Sequence, residues 1–353
     1  MSKRILAAAA AVACCVAAAP AGASAATVTA YAGADGKASP NPAPQYSPNA
    51  FFRRTLTVNV GDSVRWQFRG FHTVTIPARG QASPGLVAVN PAAPVSGVLD
   101  AAGTPFWFNG QPSLGINPLA AAPQGGTTYT GSKLVNSGIP TGPKPFTVKF
   151  TKAGRYQYFC AVHVGMRGTV AVVSRNKPVP SARANAAARD REVATLARHG
   201  RVTSAKTPPA ATPTGATVQA GRAPLGERFT LNAFYPATAN VKVGQTIAFS
   251  MAGQNTTEAH TVTFGPPAAR SFPPLGPAGF NPLAAYPSDV PTAPLPPYDG
   301  TNHGNGFLNS GLLDNDSNTP MPNTTRVAFS KAGTFTYACL LHEGMEGTVV
   351  VAP

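Results

Sequence analysis

The chain has 353 residues, of which 43% are hydrophobic, and 28 Lys and Arg against 13 Asp and Glu give a formal net charge of +15. Because only 12% of the residues are charged, the composition excludes a highly charged disordered chain and an acidic solvating tail. The 37 Pro and 35 Gly residues argue against a fold dominated by long helices, and the spacing of the four cysteines indicates no disulfide framework.

Residues 1–25 have the pattern of a secretory signal peptide. Lys3 and Arg4 precede an apolar run, and small residues form a cleavage signal that ends at Ala25. This pattern predicts export to the periplasm or to the cell exterior. Lipidation of Cys14 or Cys15 is an alternative, but the bulky residue expected three places before a lipidated cysteine is missing. No later segment approaches the roughly 18 apolar residues of a membrane span.

The rest of the chain repeats itself, which predicts two copies of one domain, over residues 26–175 and 216–353. Several short segments recur in the same order in both copies. The recurring pairs are Asn49–Phe51 and Asn232–Phe234, Gly115–Ala121 and Gly279–Ala285, Asn136–Gly138 and Asn309–Gly311, and Lys152–Gly154 and Lys331–Gly333.

Each copy contains short β-branched or aromatic segments that partly alternate with polar residues, as strands do. The predicted strands are Thr55–Phe68, Phe146–Phe150, Arg155–Cys160 and Thr169–Val173, then Ala239–Phe249, Arg326–Phe329, Thr334–Cys339 and Thr348–Val351. Short strands separated by Gly and Pro turns predict an all-β fold with an antiparallel sandwich in each copy.

Residues 176–215 read as a linker between the copies. Ser181 can cap a helix over about 182–198, and Gly200 is the predicted stop of that helix. Three prolines follow, and they predict a stiff connector.

The two copies share the spacing Cys-x2-His-x2-Met, each time at the end of a predicted strand. A thiolate, an imidazole and a thioether on one tight loop are ligands that copper favours. One distant histidine, followed each time by Thr-Val-Thr, completes each set. The predicted metal ligands are His72, Cys160, His163 and Met166 in the first copy, and His260, Cys339, His342 and Met345 in the second.

One Cys, two His and a weak axial Met describe a type 1 (blue) copper site, so the sequence predicts two type 1 coppers per chain. Zinc is the alternative, because a Cys-x2-His segment alone also occurs in zinc sites. Met is not a usual zinc ligand, however, and structural zinc sites prefer several cysteines.

At these residues the sequence resembles the cupredoxins, the family of plastocyanin, pseudoazurin and amicyanin. The short ligand loop is most similar to that of amicyanin, and the approach to it in Gly154–Tyr158 and Gly333–Tyr337 is similar too. The resemblance implies a Greek-key sandwich in each copy and an electron-transfer function. It also implies that His163 and His342 present their imidazole edges to a redox partner.

The resemblance fails in the middle of each copy. From His72 to Cys160 the chain runs 88 residues, and Pro- and Gly-rich inserts occupy residues 77–131 and 266–306. Long irregular inserts of this kind are usually functional or poorly ordered. We expect them to shield the copper, to form a partner surface or to pack one domain against the other.

Two histidines are left over, and they bear on whether the protein is an enzyme. We interpret His199 as a cation at a helix C-terminus and His303 as a solvated loop residue. Multicopper oxidases need paired His-x-His motifs, which this chain lacks, and a nitrite reductase needs extra histidines at a catalytic copper. The sequence therefore favours an electron carrier over an enzyme. A two-domain copper oxidoreductase of either type and an envelope copper-storage protein remain alternatives.

The charges of the two copies differ. Residues 26–175 hold 13 basic and 3 acidic side chains, or +10, whereas residues 216–353 hold 6 basic and 8 acidic side chains, or −2. Arg167 follows the first ligand loop, while Glu343 and Glu346 lie beside Met345. This asymmetry predicts redox partner proteins of different sign, although solubility alone is an equal explanation. Nucleic acid is disfavoured as a partner, and anionic cell-envelope polymers stay open as one.

Overall fold

The computed structural model describes residues 25–34, 45–205, 216–255, 258–276, 279–292, 295–316 and 319–353. The predicted signal peptide, except for its last residue, and the proline-rich end of the predicted linker lie outside the described residues. None of the described helices is both long enough and apolar enough to cross a membrane.

Short strands make up most of the regular structure. As far as residue 205 the strands are β1 (Thr27–Gly33), β2 (Gln45–Ser47), β3 (Phe51–Phe52), β4 (Thr55–Asn59), β5 (Ser63–Arg69), β6 (Thr75–Ile76), β7 (Val87–Pro94), β8 (Pro112–Ile116), β9 (Thr128–Tyr129), β10 (Val135–Asn136), β11 (Phe146–Phe150), β12 (Gly154–Phe159) and β13 (Arg167–Val173). The helices in this part are α1 (Pro118–Ala121) and α2 (Ala182–Ala205).

Short strands also dominate the chain after residue 205. Its strands are β14 (Thr217–Arg222), β15 (Thr230–Tyr235), β16 (Thr238–Lys242), β17 (Thr246–Ser250), β18 (Thr263–Phe264), β19 (Leu275–Gly276), β20 (Gly279–Phe280), β21 (Leu308–Asn309), β22 (Thr324–Ala328), β23 (Gly333–Ala338) and β24 (Glu346–Ala352). Its helices are α3 (Pro282–Ala285) and short 3-10 turns at Pro267–Arg270 and Asn302–Gly304.

Two five-stranded sheets, β3-β1-β5-β11-β9 and β10-β6-β12-β13-β4, form the first sandwich. Two more, β2-β15-β14-β17-β22 and β16-β24-β23-β18-β21, form the second. Alternate residues of each strand point inward, as Val170 and Val172 of β13 do, and the inner faces enclose an apolar core. The all-β fold predicted from the sequence is confirmed.

The sheets are mixed rather than purely antiparallel. β1 runs parallel to β5, and β4 runs parallel to β13; β14 with β17 and β16 with β24 repeat this pattern in the second sandwich. Between β1 and β5 the chain passes through β4 of the opposite sheet, so β1 and β5 are not joined by a hairpin, which would make them antiparallel. This pairing corrects the predicted antiparallel arrangement.

Helix α2 continues through Gly200 and ends at Ala205, beyond the end predicted near residue 198. A close contact with Tyr46, rather than a helix end, accounts for the glycine at position 200: a Cβ there would lie 2.6 Å from the ring. Leu196 of the same helix packs in a cluster that includes Phe52 of β3 and Phe229. Residues 182–205 of the predicted linker therefore form a helix packed against both sandwiches.

The two sandwiches also contact one another through their inserts. Phe108 of the first insert and Phe307, directly after the second insert, lie in the same buried cluster. The Trp107 indole donates to the carbonyl of Pro287 at 2.9 Å. The Tyr286 hydroxyl donates to the carbonyl of Pro112. Of the roles expected for the inserts, the packing of one unit against the other is therefore observed.

One strand, which lies between β1 and β3 in the chain, pairs with a sheet of the second sandwich and adds to this contact. β2, which precedes the first sandwich's β3, pairs antiparallel with β15 of the second sandwich, with Ser47 opposite Thr230. Next to it, the buried side-chain amide of Asn49 donates to the hydroxyl of Thr230 at 3.2 Å. The chain segment 45–49 thus lies at the junction of the two sandwiches.

Candidate metal centres

Three of the predicted ligands converge inside the first sandwich. His72 follows β5, Cys160 directly follows β12, and His163 lies in the loop before β13. The Cys160 sulfur lies 3.5 Å from Nδ1 of His163 and 3.9 Å from Nδ1 of His72, and the two Nδ1 atoms are 3.0 Å apart. All three side chains are buried.

The second sandwich repeats this arrangement. The Cys339 sulfur lies 3.5 Å from Nδ1 of His342 and 3.8 Å from Nδ1 of His260. His260 is fully buried and Cys339 is buried, while His342 is partly exposed. In each set one ligand atom from every residue lies within 4.8 Å of the others.

The ligand loop is closed by its own backbone. The amide of Cys160 donates to the carbonyl of Met166 at 2.9 Å, and the amide of Met166 donates to the carbonyl of His163 at 3.1 Å. Gly165 supports the tight turn with a φ of +79°, which a glycine adopts without strain. Met166 is buried in the same core as Cys160, and Met345 is buried with Cys339 in the second core.

A threonine fixes the strand of the distant histidine to the cysteine. The amide of Thr73 donates to the Cys160 sulfur at 3.3 Å, and its hydroxyl accepts from the amide of Ala161 at 2.7 Å. Thr261 makes the equivalent contacts with Cys339 at 3.4 Å and with the amide of Leu340 at 2.8 Å. These bonds explain the repeated His-Thr pair.

The repeated segments Asn136–Gly138 and Asn309–Gly311 support the same strand in each sandwich. Ser137 accepts from the amide of Val74 at 2.9 Å, and the Oδ1 of Asn136 accepts from the hydroxyl of Thr75 at 3.1 Å. The Asn136 amide group donates to the carbonyls of Leu119 and Ala120 in α1, at 2.9 and 2.8 Å. The second sandwich repeats this network. Ser310 accepts from the amide of Val262, and Asn309 accepts from the hydroxyl of Thr263. The Asn309 amide group donates to the carbonyls of Leu283 and Ala284.

The protein environment favours the thiolate form of both cysteines. Burial alone would raise the pKa of Cys160, but hydrogen bonds from His163 and His72 outweigh burial and hold that pKa well below its usual range. The pKa of Cys339 is lowered in the same way by His260 and His342. The thiolate is the form that binds a metal.

The donor set fits copper. A buried thiolate faces two imidazole Nδ1 atoms in each sandwich, a mixture of soft and borderline donors, and a methionine is buried in the same loop. Among the residues that the structure describes, these are the two groups of three or more His, Cys, Asp or Glu close enough together to hold a metal ion.

Sequence reasoning missed Glu258, a buried residue between the two candidate centres. Its Oε1 lies 3.3 Å from Nε2 of His163, and its Oε2 lies 3.4 Å from Nε2 of His342. Burial would raise the pKa of Glu258, but His163 and His342 lower it well below its usual range. A signal was present, because Glu258 stands two residues before His260 where the first copy has Gly70.

The same contacts change the expectation of exposed imidazole edges. His163 is only 7% exposed, and its Nε2 edge faces Glu258 rather than a surface. The side chain of His342 is 18% exposed and faces the same carboxylate. Arg167 and Glu343, which the sequence placed beside the loops, are exposed.

The two remaining histidines both contact acidic residues. His199 lies inside α2, not in its last turn, and its Nδ1 is 3.0 Å from Glu227. His303 is half-buried rather than solvated, with Nδ1 at 3.4 Å from Asp100 and Nε2 at 3.5 Å from Asp289. The earlier interpretations of both residues are corrected accordingly.

No protein-family model matches the chain, and no curated protein matches it either. Solved structures similar to it include a methionine-to-alanine mutant of amicyanin in the Cu(I) form, with 16% identity and a TM-score of 0.21, covering 40% of this chain and 84% of that one. A mutant plastocyanin of fern has 24% identity and a TM-score of 0.21, covering 38% of this chain and 99% of that one.

Proposed function

We propose that the chain is an exported copper-binding electron-transfer protein with one type 1 copper centre in each sandwich. The observation that carries the proposal is the duplicated convergence of one cysteine sulfur with two histidine Nδ1 atoms. The proposed ligands are those predicted from the sequence, including Met166 and Met345 as axial ligands, and the repeat units are duplicated domains. Export rests on the signal peptide pattern, and the location is the periplasm or the cell exterior.

Copper bound by such a set cycles between Cu(I) and Cu(II). The chain's contribution is a ligand cage that moves little, because the Thr73 amide and the loop hydrogen bonds hold Cys160 in place. Ser137 and Asn136 hold the strand that follows His72. A fixed cage limits the rearrangement that accompanies a change of oxidation state. This property favours an electron carrier over a storage protein, which must release its copper.

The leftover histidines give little support to an additional catalytic metal. Each ring nitrogen of His303 lies near a different carboxylate, so the two carboxylates are on opposite sides of the ring rather than converging on one point. His199 is paired with Glu227. We therefore propose redox proteins as partners rather than a small-molecule substrate, with anionic envelope polymers as a surface that basic side chains suit.

Electrochemistry of the copper-loaded protein, combined with steady-state assays for nitrite reduction and phenol oxidation, tests this function. We expect reversible one-electron steps at both centres and no sustained turnover. Turnover that disappears in a His303→Ala variant, or copper that is released on reduction, would overturn the carrier assignment.

A further inference from the structure

The two candidate centres lie on either side of one buried carboxylate. Glu258 is about 6% exposed, and its two oxygens face different imidazoles, Oε1 towards His163 and Oε2 towards His342. Because each imidazole directs Nδ1 to its own cysteine and Nε2 to Glu258, the two rings and the carboxylate form one continuous connection. Its two non-covalent gaps measure 3.3 and 3.4 Å.

The carboxylate is held in place by residues of the junction. The Ser47 hydroxyl donates to Oε1 at 2.5 Å, and the side-chain amide of Asn49 donates to the same oxygen at 3.0 Å. Oε2 is buried without a hydrogen-bond partner among the described residues, and His342 Nε2 lies within ion-pair distance of it. One oxygen is therefore anchored, while the other is left to the second imidazole.

A carboxylate that orients a metal-bound imidazole is common in metal sites. Here one carboxylate serves two imidazoles in two different sandwiches. The first copy has Gly70 at the position of Glu258, so the duplication did not supply each site with its own. The sharing itself calls for an explanation that links the two centres.

We propose that His163, Glu258 and His342 form an internal electron connection, through which the two copper centres exchange an electron within one chain. This inference rests on the proposed function, because it needs a redox-active copper in each sandwich. In the exchange one centre is oxidised from Cu(I) to Cu(II) while the other is reduced from Cu(II) to Cu(I). No bond is formed or broken, and no further reactant is needed.

The test uses the full mature chain loaded with copper at both centres and first needs to distinguish them. Met166→Gln changes the axial ligand, and so shifts the absorption and the potential of the first centre alone. The oxidised protein is then given a pulse of reductant that supplies less than one electron per chain. The absorption bands of both copper centres are followed over time. We expect a redistribution phase with a rate independent of protein concentration, since the exchange is intramolecular.

Glu258→Gln in the same background retains one accepting oxygen and can no longer accept from both imidazoles. We expect it to slow the redistribution by about tenfold or more while both coppers stay bound. Glu343→Gln is the matched control, because it removes the same charge from an exposed residue next to His342, and it should leave the rate unchanged.

Three results would overturn the inference. They are an unchanged rate in Glu258→Gln with both coppers bound, a rate that rises with protein concentration in the parent, and loss of copper from either centre in both Glu258→Gln and Glu258→Asp. The last result would assign Glu258 a supporting role only. Failure of the proposed function is distinguishable, because the thiolate-to-copper absorption would then be missing before any pulse.

Discussion

Gly221 of β14 lies directly against the imidazole of His260. A methyl group on Gly221 would overlap the imidazole Nε2 and would lie only 3.0 Å from Cε1. Gly33 of β1 has the same relationship to His72 in the first sandwich. Both glycines have a positive φ, of +70° and +80°, so the backbone as well as the close approach requires glycine. In each set the imidazole of the distant histidine therefore packs directly against the backbone of a glycine in the neighbouring strand.

Gly221→Ala is therefore expected to displace His260 and to abolish copper binding at the second centre. Its control is Gly226→Ala, which has a similar φ of +84° but no atom within 4 Å of the added methyl group. Both changes should cost about 1 kcal/mol of unfolding free energy through backbone strain. Only Gly221→Ala should halve the copper content, measured by metal analysis. Equal copper contents in the two variants would contradict this assignment.

Asn136→Asp should destabilise the first sandwich. The present amide donates to carbonyls of α1, and a carboxylate oxygen in its place would face those carbonyls without a proton. The expected loss of unfolding free energy is about 3 kcal/mol or more. Urea unfolding followed by tryptophan fluorescence measures it, because both tryptophans, Trp66 and Trp107, lie in this part of the chain.

The control for this change is Asn90→Asp in the first insert. Asn90 is exposed, and its Oδ1 accepts from the amide of Ala92, a bond that a carboxylate retains. Its unfolding should match that of the parent. If the two variants unfolded alike, the Asn136 network would not be what holds α1 to the ligand strand.

Stability should depend on pH through His303. A hydrogen bond to Asp289 raises the pKa of His303, burial opposes this, and Asp100 adds to the rise. Since the folded pKa exceeds the unfolded value of about 6.5, the stabilisation is fully present below that value. It is lost as the pH rises through the folded pKa.

Replacing the residue should expose this dependence. His303 has a φ of +55°, which Asn tolerates well, so His303→Asn removes the imidazole with little backbone strain. We expect the difference in urea midpoint between parent and variant to be larger at pH 6 than at pH 9. A difference that is constant or that grows with pH would show that the ion pairs do not contribute.

Partner preference at the first centre should depend on Arg167. This side chain is exposed beside the buried Met166, so it can attract an anionic electron donor. Salt should slow reduction of the first centre by such a donor, because charges are screened over about 10 Å at 0.1 M. Arg167→Glu should weaken this dependence without changing the copper content. Arg155 lies at the end of β12 far from Cys160, so Arg155→Glu should retain the salt dependence in stopped-flow reduction. Identical salt slopes in the two variants would show that the charge of Arg167 serves only solubility.

The ligand loops could be predicted from the sequence because their information is local. Cys160, His163 and Met166 lie within seven residues, and the predicted strand before them places the cysteine at its end. The distant histidine was predictable only through the repeat. The end of α2 was not predictable, because Gly200 accommodates the ring of Tyr46, 154 residues earlier in the chain (200 − 46), instead of ending the helix.

The position of Glu258 was visible as a difference between the copies, but its contact with both centres could not be predicted, for a similar reason. Its contacts join Glu258 to His163 in the other sandwich, and no spacing rule links such positions. The repeated segment Asn136–Gly138 was visible in the sequence, yet its role depends on hydrogen bonds that Asn136 makes with Ala120 of α1 and with Thr75 of β6. Patterns in the chain revealed which residues recur, while packing between distant segments decides what they contact.

Copper titration of the mature protein, followed by visible absorption, tests the central claim most directly. With one ligand set in each sandwich, we predict two equivalents of Cu(II) per chain and an intense thiolate charge-transfer band. Cys160→Ser and Cys339→Ser should each remove about half of that band and one equivalent of bound copper. A protein that stays colourless with Cu(II) bound, or that binds only zinc, would contradict the account.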